Sequence, residues 1–306
     1  MKRLDIAQRI CFSIHIASLL FGLAGLLIVL PNTDFIMSLP EIGQRAFQWS
    51  MAGGGAVYMV SGAIAVAIYA YRSLGLWHAL TFMLPALVIS MGAELVGTGT
   101  GFPFGEYHYL SGLGYKVMGR VPFTIPLSWF YLGFSAYLLA YVGLAKWGRW
   151  RWPGAIVLGA LMLTAWDFVL DPAMSQTTMP FWAWDQEGAF FGMPYQNFAG
   201  WFGTGVIFMG IATLLWQVKP LVKAPSQAPS KAPFSLDLPL GMYISNFVFA
   251  MVISIDGEIY PPIFLGLLLG VLPAVVLYGM AGAANNEFNG DEDRSVGALI
   301  PKQGDV

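Results

Sequence analysis

The chain has 306 residues, 57% of them hydrophobic and only 10% charged, with a mean hydropathy of +0.65. A soluble domain carries roughly 25% charged residues, so most of this surface faces something other than water. The formal net charge of −2 supplies no basic field to hold nucleic acid, and a single cysteine, Cys11, excludes an intramolecular disulfide and a multi-cysteine metal site.

A helix that crosses a bilayer needs ~20 mostly apolar residues. Such stretches run at about 10–30, 52–71, 76–96, 124–145, 153–171, 198–216, 238–255 and 260–281. The first follows Lys2, Arg3 and Arg9, as a signal peptide would. It continues into Leu30-Pro31-Asn32 without a small-residue cleavage pattern, so it reads as a retained anchor. With the N-terminus inside and eight spans, Arg45, Lys116 and Arg120 fall outside and the other twelve of the 15 Lys and Arg fall inside. A positive-inside bias of that size favours this topology and count. A seven-span chain would put Arg294 and Lys302 outside and weaken the bias. The expected fold is therefore an all-α, polytopic integral membrane helical bundle of about eight transmembrane helices, with both ends cytoplasmic. Its organisation reads as a six-helix catalytic membrane domain over 1–218, a Pro/Ala/Lys-rich cytoplasmic linker over 219–235, a two-helix hairpin over 236–282 and a disordered polar tail over 283–306.

The acidic residues gather at one end of this topology. Glu94 ends the third apolar stretch, Asp167 and Asp171 end the fifth, and Asp256 and Glu258 end the seventh, while Glu106, Asp185 and Glu187 lie in loops on the same side. Ionisable groups within spans are costly and mark function by default. Asp167 and Asp171 are four residues apart, so they share a helix face, and Pro172 is expected to end that helix. Asp167 is one turn deeper. A carboxyl in an apolar site is disfavoured in its charged form, which lets one member of such a pair hold a proton for donation. The structural alternatives are that Asp171 caps a loop, Asp167 bonds across helices and Glu94 reaches water from a helix end. The run Gly97-Thr-Gly-Thr-Gly101 is too short for a dinucleotide fingerprint and follows no strand, so its glycines read as close turns.

The loop from Met179 to Trp201 has no Lys or Arg and carries Trp182, Trp184, Phe190, Phe191, Tyr195, Phe198 and Trp201. An interfacial aromatic belt explains part of this, and an aromatic-lined pocket for a hydrophobic substrate suits its density. His15 and His78 lie near inner helix ends, where haem ligation is conceivable in principle, but no third feature supports it. Three histidines are too few for a histidine-rich di-iron hydroxylase, so an installed hydroxyl would take its oxygen from water.

The segments GAELVGTGTGFPFGEYHY (92–109), VPFTIPLSW (121–129), AWDFVLDP (165–172) and FFGMPYQNFAGW (190–201) resemble the CruF-type membrane carotenoid hydratases, within the wider membrane carotenoid-biosynthesis family. The resemblance covers about residues 10–216 and adds little over the last two helices. It implies addition of water across the terminal 1,2 double bond of an acyclic ψ end group, of the γ-carotene or lycopene type, giving a tertiary alcohol. It also implies a bilayer-embedded bacterial enzyme of the cell membrane, or of the thylakoid in a cyanobacterium. A carotenoid glycosyltransferase would act downstream. Such hydration requires an acid that protonates the less substituted alkene carbon, a positioned water and an aromatic wall for the tertiary cation. Asp167 is the expected acid, with Asp171 and Glu94 polarising it and orienting or deprotonating the water. Tyr107, Tyr195 and Asn197 are candidates for holding that water. Phe104, Trp166 and Trp201 are candidates for the wall, and Tyr109 and Trp129 join them as substrate-binding residues. No metal, nucleotide or other cofactor is expected.

A small-solute transporter would place polar groups near the midplane, between repeats, whereas here they crowd one half. A prenyl-transfer or cyclase-type enzyme would need an Asp-rich Mg²⁺ site, which two aspartates alone do not make. A non-catalytic carotenoid binder would hold the polyene and leave its mass unchanged.

Overall fold

The computed structural model describes residues 2–177, 179–219 and 234–282. The expected tail and nearly all of the expected linker lie outside these residues. Among those described, eight helices are long and apolar enough to cross a membrane. In chain order they are α1 (Lys2–Ala24, continued by a π turn over Gly25–Val29), α3 (Glu41–Leu74), α4 (Leu76–Thr100), α5 (Ile125–Gly143), α6 (Arg151–Met174), α7 (Tyr195–Val218), α8 (Asp237–Asp256) and α9 (Tyr260–Gly266, continued helically to Gly282). A short α2 (Thr33–Ser38) joins α1 to α3. In lipid each peptide group must find its partner inside the chain, and the helix provides it.

α5 is the axis of the bundle. Every residue from Ile125 to Gly143 except Leu127 is buried. α3, α4, α6 and α8 pack around it, and α1 sits at the periphery against α3 and α8. The serine hydroxyls on this buried helix donate back into its own ladder, Ser128 to the carbonyl of Ile125 at 2.8 Å and Ser135 to that of Tyr131 at 2.7 Å.

Polar side chains tie the helices laterally. The Tyr137 and Thr213 hydroxyls meet at 2.7 Å, and Tyr243 donates to the carbonyl of Met162 at 2.7 Å. Bonds of this kind between membrane helices contribute about 0.6 kcal/mol each. A fuller network centres on Asn246 of α8. Its amide donates to His15 Nε2 at 3.0 Å, its side-chain oxygen accepts from Tyr131, and its carbonyl accepts from the indole of Trp166. His15 Nδ1 completes the chain on the carbonyl of Tyr58 at 2.8 Å. Both His15 nitrogens are thereby occupied, as are both of His78, on the carbonyls of Leu74 and Lys219. The two histidines therefore act as packing groups. The last two helices share the core of the first six: α8 packs on α6 and α5, and Ser254 donates to the carbonyl of Val169 at 2.6 Å.

Two local expectations are corrected. Pro172 does not end its helix; α6 runs on to Met174, and Ser175 closes it with an N–H to the carbonyl of Asp171. A peptide group sealed from water has no better partner than the helix, so one missing donor in the last turn is tolerated. Gly97 and Gly99 do not make turns either. They lie inside α4, which ends where Gly101 takes a left-handed cap at φ +78°.

Candidate active site

The end of the bundle where α4 and α6 finish and α5 and α7 begin is closed by the loops 101–124 and 175–194. Inside those loops β1 (Tyr107–Tyr109) pairs antiparallel with β4 (Trp182–Trp184), with Tyr107 opposite Trp184 and Tyr109 opposite Trp182. A second two-residue pair joins β2 (Lys116–Val117) to β3 (Val121–Pro122). Side chains alternate along a strand. Tyr107, Tyr109, Trp182 and Trp184 therefore share the face that looks down on the helix ends. The central pair, His108 and Ala183, faces the other way, where His108 meets Asp185 at 2.9 Å.

Beneath this ribbon, Glu94, Asp167 and Asp171 are 3%, 2% and 4% exposed and line one cavity. Its empty space, including the part open at its mouth, is about 630 Å³. Glu94 is held by three donors. The hydroxyls of Tyr107 and Tyr109 both reach Oε2, the latter at 2.8 Å, and the indole N–H of Trp129 reaches Oε1 at 3.0 Å. Burial, and then the charge of Glu94, holds both phenols well above their ordinary titration range, so they remain O–H donors at neutral pH. Asp171 is held likewise. The indoles of Trp182 and Trp184 donate to Oδ1 at 2.5 and 3.2 Å, and the amide of Asn197 donates to Oδ2 at 2.9 Å.

Asp167 differs. Its one hydrogen bond among the described residues comes from Asn197 to Oδ2, at 2.8 Å. Every described side-chain N or O atom that is sealed from open space has a partner. The unbonded Oδ1 of Asp167 is therefore reachable from the cavity. The two hydrogens on Asn197 Nδ2 bridge the aspartates, which places both on the face expected from their four-residue spacing.

The walls are aromatic. Trp129 and Trp201 stack with centroids 3.9 Å apart, and Trp166 tilts against Trp201 at 5.8 Å. Phe104 is clamped between two helices at glycines. A Cβ on Gly97 would fall 2.7 Å from its ring, and one on Gly200 would fall 2.5 Å from it. Those two positions, each one turn beyond a polar site residue (Glu94 and Asn197), let the loop side chain enter the bundle.

Of the residues expected from sequence, Glu94, Phe104, Tyr107, Tyr109, Trp129, Trp166, Asp167, Asp171, Asn197 and Trp201 all line the cavity. Tyr195 does not. It opens α7, is 62% exposed and packs on Phe190 and Phe198. Two residues on a helix turn about 200°, so the residue that sends Asn197 inward sends Tyr195 outward. Asp256, Glu258, Glu106, Asp185 and Glu187 are exposed and stand apart from the cavity. Sequence reasoning missed the indoles of Trp182 and Trp184 as partners of Asp171. It also missed Tyr58, Ser128, Phe181 and Phe249 in the lining. The signal for the indoles was the matching alternation of Tyr-His-Tyr and Trp-Ala-Trp. Phe249 shows that α8 contributes to the site.

The bisanhydrobacterioruberin hydratase of Haloarcula japonica is 38% identical over 123 residues, which span 39% of this chain and 39% of that protein. The match thus covers well under half of that relative's length. No solved structure matches. The model of a family described as carotenoid biosynthesis protein matches residues 54–273, a stretch that continues through α8 and into the last helix, beyond the segments in which the resemblance was read. With most of its length so matched, the chain belongs to the carotenoid biosynthesis protein family.

Proposed function

We propose that this protein is a carotenoid 1,2-hydratase, which adds water across the terminal C1–C2 double bond of an acyclic ψ end group. The observation that carries this reading is the inequality among three carboxyls at one aromatic cavity. Glu94 and Asp171 each have three donors, and Asp167 alone presents an unbonded oxygen to the space between the rings. Asp167 Oδ1 gives its proton to C2, and the electron pair of the double bond forms the new C–H bond. The tertiary cation left at C1 lies among the faces of Trp166, Trp201 and Phe104, whose quadrupoles favour a positive charge.

Water then attacks C1, and the proton it releases returns to the Asp167 carboxylate. The net change is alkene plus water to tertiary alcohol, with the acid regenerated. A carboxylate has about four acceptor positions. Three are occupied on Glu94 and on Asp171, which leaves each a position from which to orient the attacking water. This chemistry calls on no metal or organic cofactor, so activity should persist after treatment with chelator.

The test is incubation of the purified, detergent-solubilised protein with lycopene, or with the bisanhydrobacterioruberin named for the relative, in ¹⁸O-labelled water. The expected product has gained one water and carries the label. Label arriving from dioxygen would replace the hydratase reading with an oxygenase, and retention of an unchanged polyene would make the protein a binder.

A further inference from the structure

A second hollow lies against the first. It follows the seam between α1 and α3 and has about 1550 Å³ of empty space, including its open side. Three residues, Tyr58, Phe181 and Phe249, line both this hollow and the carboxyl cavity, so these side chains form the boundary at which the two adjoin. On α1 its wall is Ile14, Ser18, Phe21 and Gly25, and on α3 it is Trp49, Gly53 and Val57. These spacings of three, four and seven trace one stripe per helix. From Ala46 to Val57 the α3 stripe extends about 16 Å at 1.5 Å per residue. Among the described residues no Asp, Glu, Lys, Arg or His lines the hollow, and its side-chain polarity is confined to Ser18, Ser50, Tyr58 and the indole N–H of Trp49. It is thus elongated and, among the described residues, without a charged side chain that could hold a phosphate or an ion.

We propose that this groove holds the polyene body of the substrate, with the terminal isoprene unit passing between Tyr58, Phe181 and Phe249 to reach Asp167. The proposal rests on the hydratase reading for the identity of its occupant. A membrane lipid could lay an acyl chain along the same stripe, but its polar head would find no partner in the groove. A hydrocarbon with a reactive end fits both compartments. The groove also faces outward between peripheral helices, Phe21 and Trp49 being 63% and 78% exposed, so a polyene dissolved in the bilayer enters sideways without crossing water.

The structure supplies the perturbation. A Cβ added at Gly53 meets nothing within 4 Å. A side chain at Gly53 therefore starts from open space on the groove wall, Gly53→Phe adds ring bulk there, and replacing a mid-helix glycine favours the helix. Two readouts are needed. In an Asp167→Asn background, which cannot turn substrate over, lycopene retained per mole of detergent-purified protein is measured from its visible absorption, with and without Gly53→Phe. In the active protein, hydration of lycopene is compared with that of a two-isoprene-unit hydrocarbon bearing the same end group.

Gly53→Phe should lower both lycopene retention and the long-to-short hydration ratio by about tenfold or more, the scale on which a pocket discriminates by fit. Gly53→Ala should lie between. Unchanged retention and an unchanged ratio would overturn the groove assignment and leave hydration standing. Equal loss of long and short turnover would also overturn it, because the groove would then serve the fold and not the chain. If the wild type hydrates neither probe, the hydratase reading fails, while the retention measurement still decides whether the polyene lies at Gly53.

Discussion

Replacing Asp167 and Asp171 by asparagine, one at a time, separates chemistry from scaffolding at two neighbouring carboxyls. Asp167 uses one oxygen in structure, accepting from Asn197 at 2.8 Å. An asparagine there still offers that acceptor, so the fold should change by less than about 1 kcal/mol, the scale of one ordinary hydrogen bond. The amide has no proton to give an alkene. Acid catalysis by a positioned side chain contributes about 10²–10⁴-fold, equivalent to about 3–5 kcal/mol of barrier, and the hydroxylated product should fall by that factor or vanish. Asp171 takes three donors on two oxygens. An asparagine has one acceptor oxygen, so its NH₂ must face either the indoles or Asn197. At least one buried donor is then unpaired, at about 1–3 kcal/mol. Asp171→Asn should therefore lose thermal stability in detergent, whereas Asp167→Asn should lose product alone. The assay pairs a thermal unfolding scan with mass-spectrometric product analysis on the same preparations. Full turnover by Asp167→Asn would refute the assignment of the acid, and equal stability losses would refute the distinction between the two carboxyls.

Trp129→Phe removes the indole donor 3.0 Å from Glu94 at a site with 0% exposure. It should cost about 1–3 kcal/mol by thermal unfolding, since a hydrogen bond to a buried carboxylate is lost. Gly200→Ala sets a methyl 2.5 Å from the Phe104 ring and 2.9 Å from the carbonyl of Pro103. Overpacking of this kind costs about 1–3 kcal/mol, and displacement of Phe104 into the cavity should reduce turnover as well; a variant as stable and active as wild type would show that the clamp is dispensable. His108→Ala breaks an exposed hydrogen-bonded contact with Asp185 on the far face of β1. Its activity and melting temperature should match wild type, because such pairs contribute little, and a collapse of activity would mean that the outer face of the ribbon takes part in the site.

The eight helices were legible because lipid imposes a length and an apolar composition that few other structures share. Their ends were not. α3 begins at Glu41, about eleven residues before its apolar stretch, since Glu-Ile-Gly-Gln-Arg-Ala-Phe-Gln-Trp-Ser is helical without being apolar, and Arg45 pairs with Glu41 one turn away. α4 likewise runs to Thr100, with Thr98 and Thr100 donating to carbonyls four residues back. The carboxyls were legible because an acid at a helix end in lipid has few structural excuses. Their partners were hidden in loops: β1 and β4 are three residues each, joined across 72 residues of chain, and only the pairing shows that two tyrosines and two tryptophans descend together. Tyr195 was misplaced because composition marks an aromatic-rich loop without saying which ring turns inward.

The choice of donors around Glu94 and Asp171 bears on the proposed chemistry. A buried carboxylate can be stabilised by Lys or Arg, which cancels its charge, or by neutral N–H and O–H groups, which solvate it and leave the charge in place. Every hydrogen-bond donor on these two residues is of the second kind, from Tyr107, Tyr109, Trp129, Trp182, Trp184 and Asn197, and no Lys or Arg lines the cavity among the described residues. For a reaction through a carbocation the difference decides the sign of the field. Salt-bridged carboxyls would present the developing cation with a net charge near zero and a nearby positive end. When ionised, carboxyls held by indoles and phenols keep their negative potential uncancelled and aimed before the substrate arrives, as electrostatic preorganisation requires. A lysine introduced at Ser128, which lines this cavity, should therefore suppress turnover beyond its steric effect. Ser128→Met is the uncharged comparison of similar length, and equal activity of the two variants would show that the cavity's negative field plays no part in the reaction.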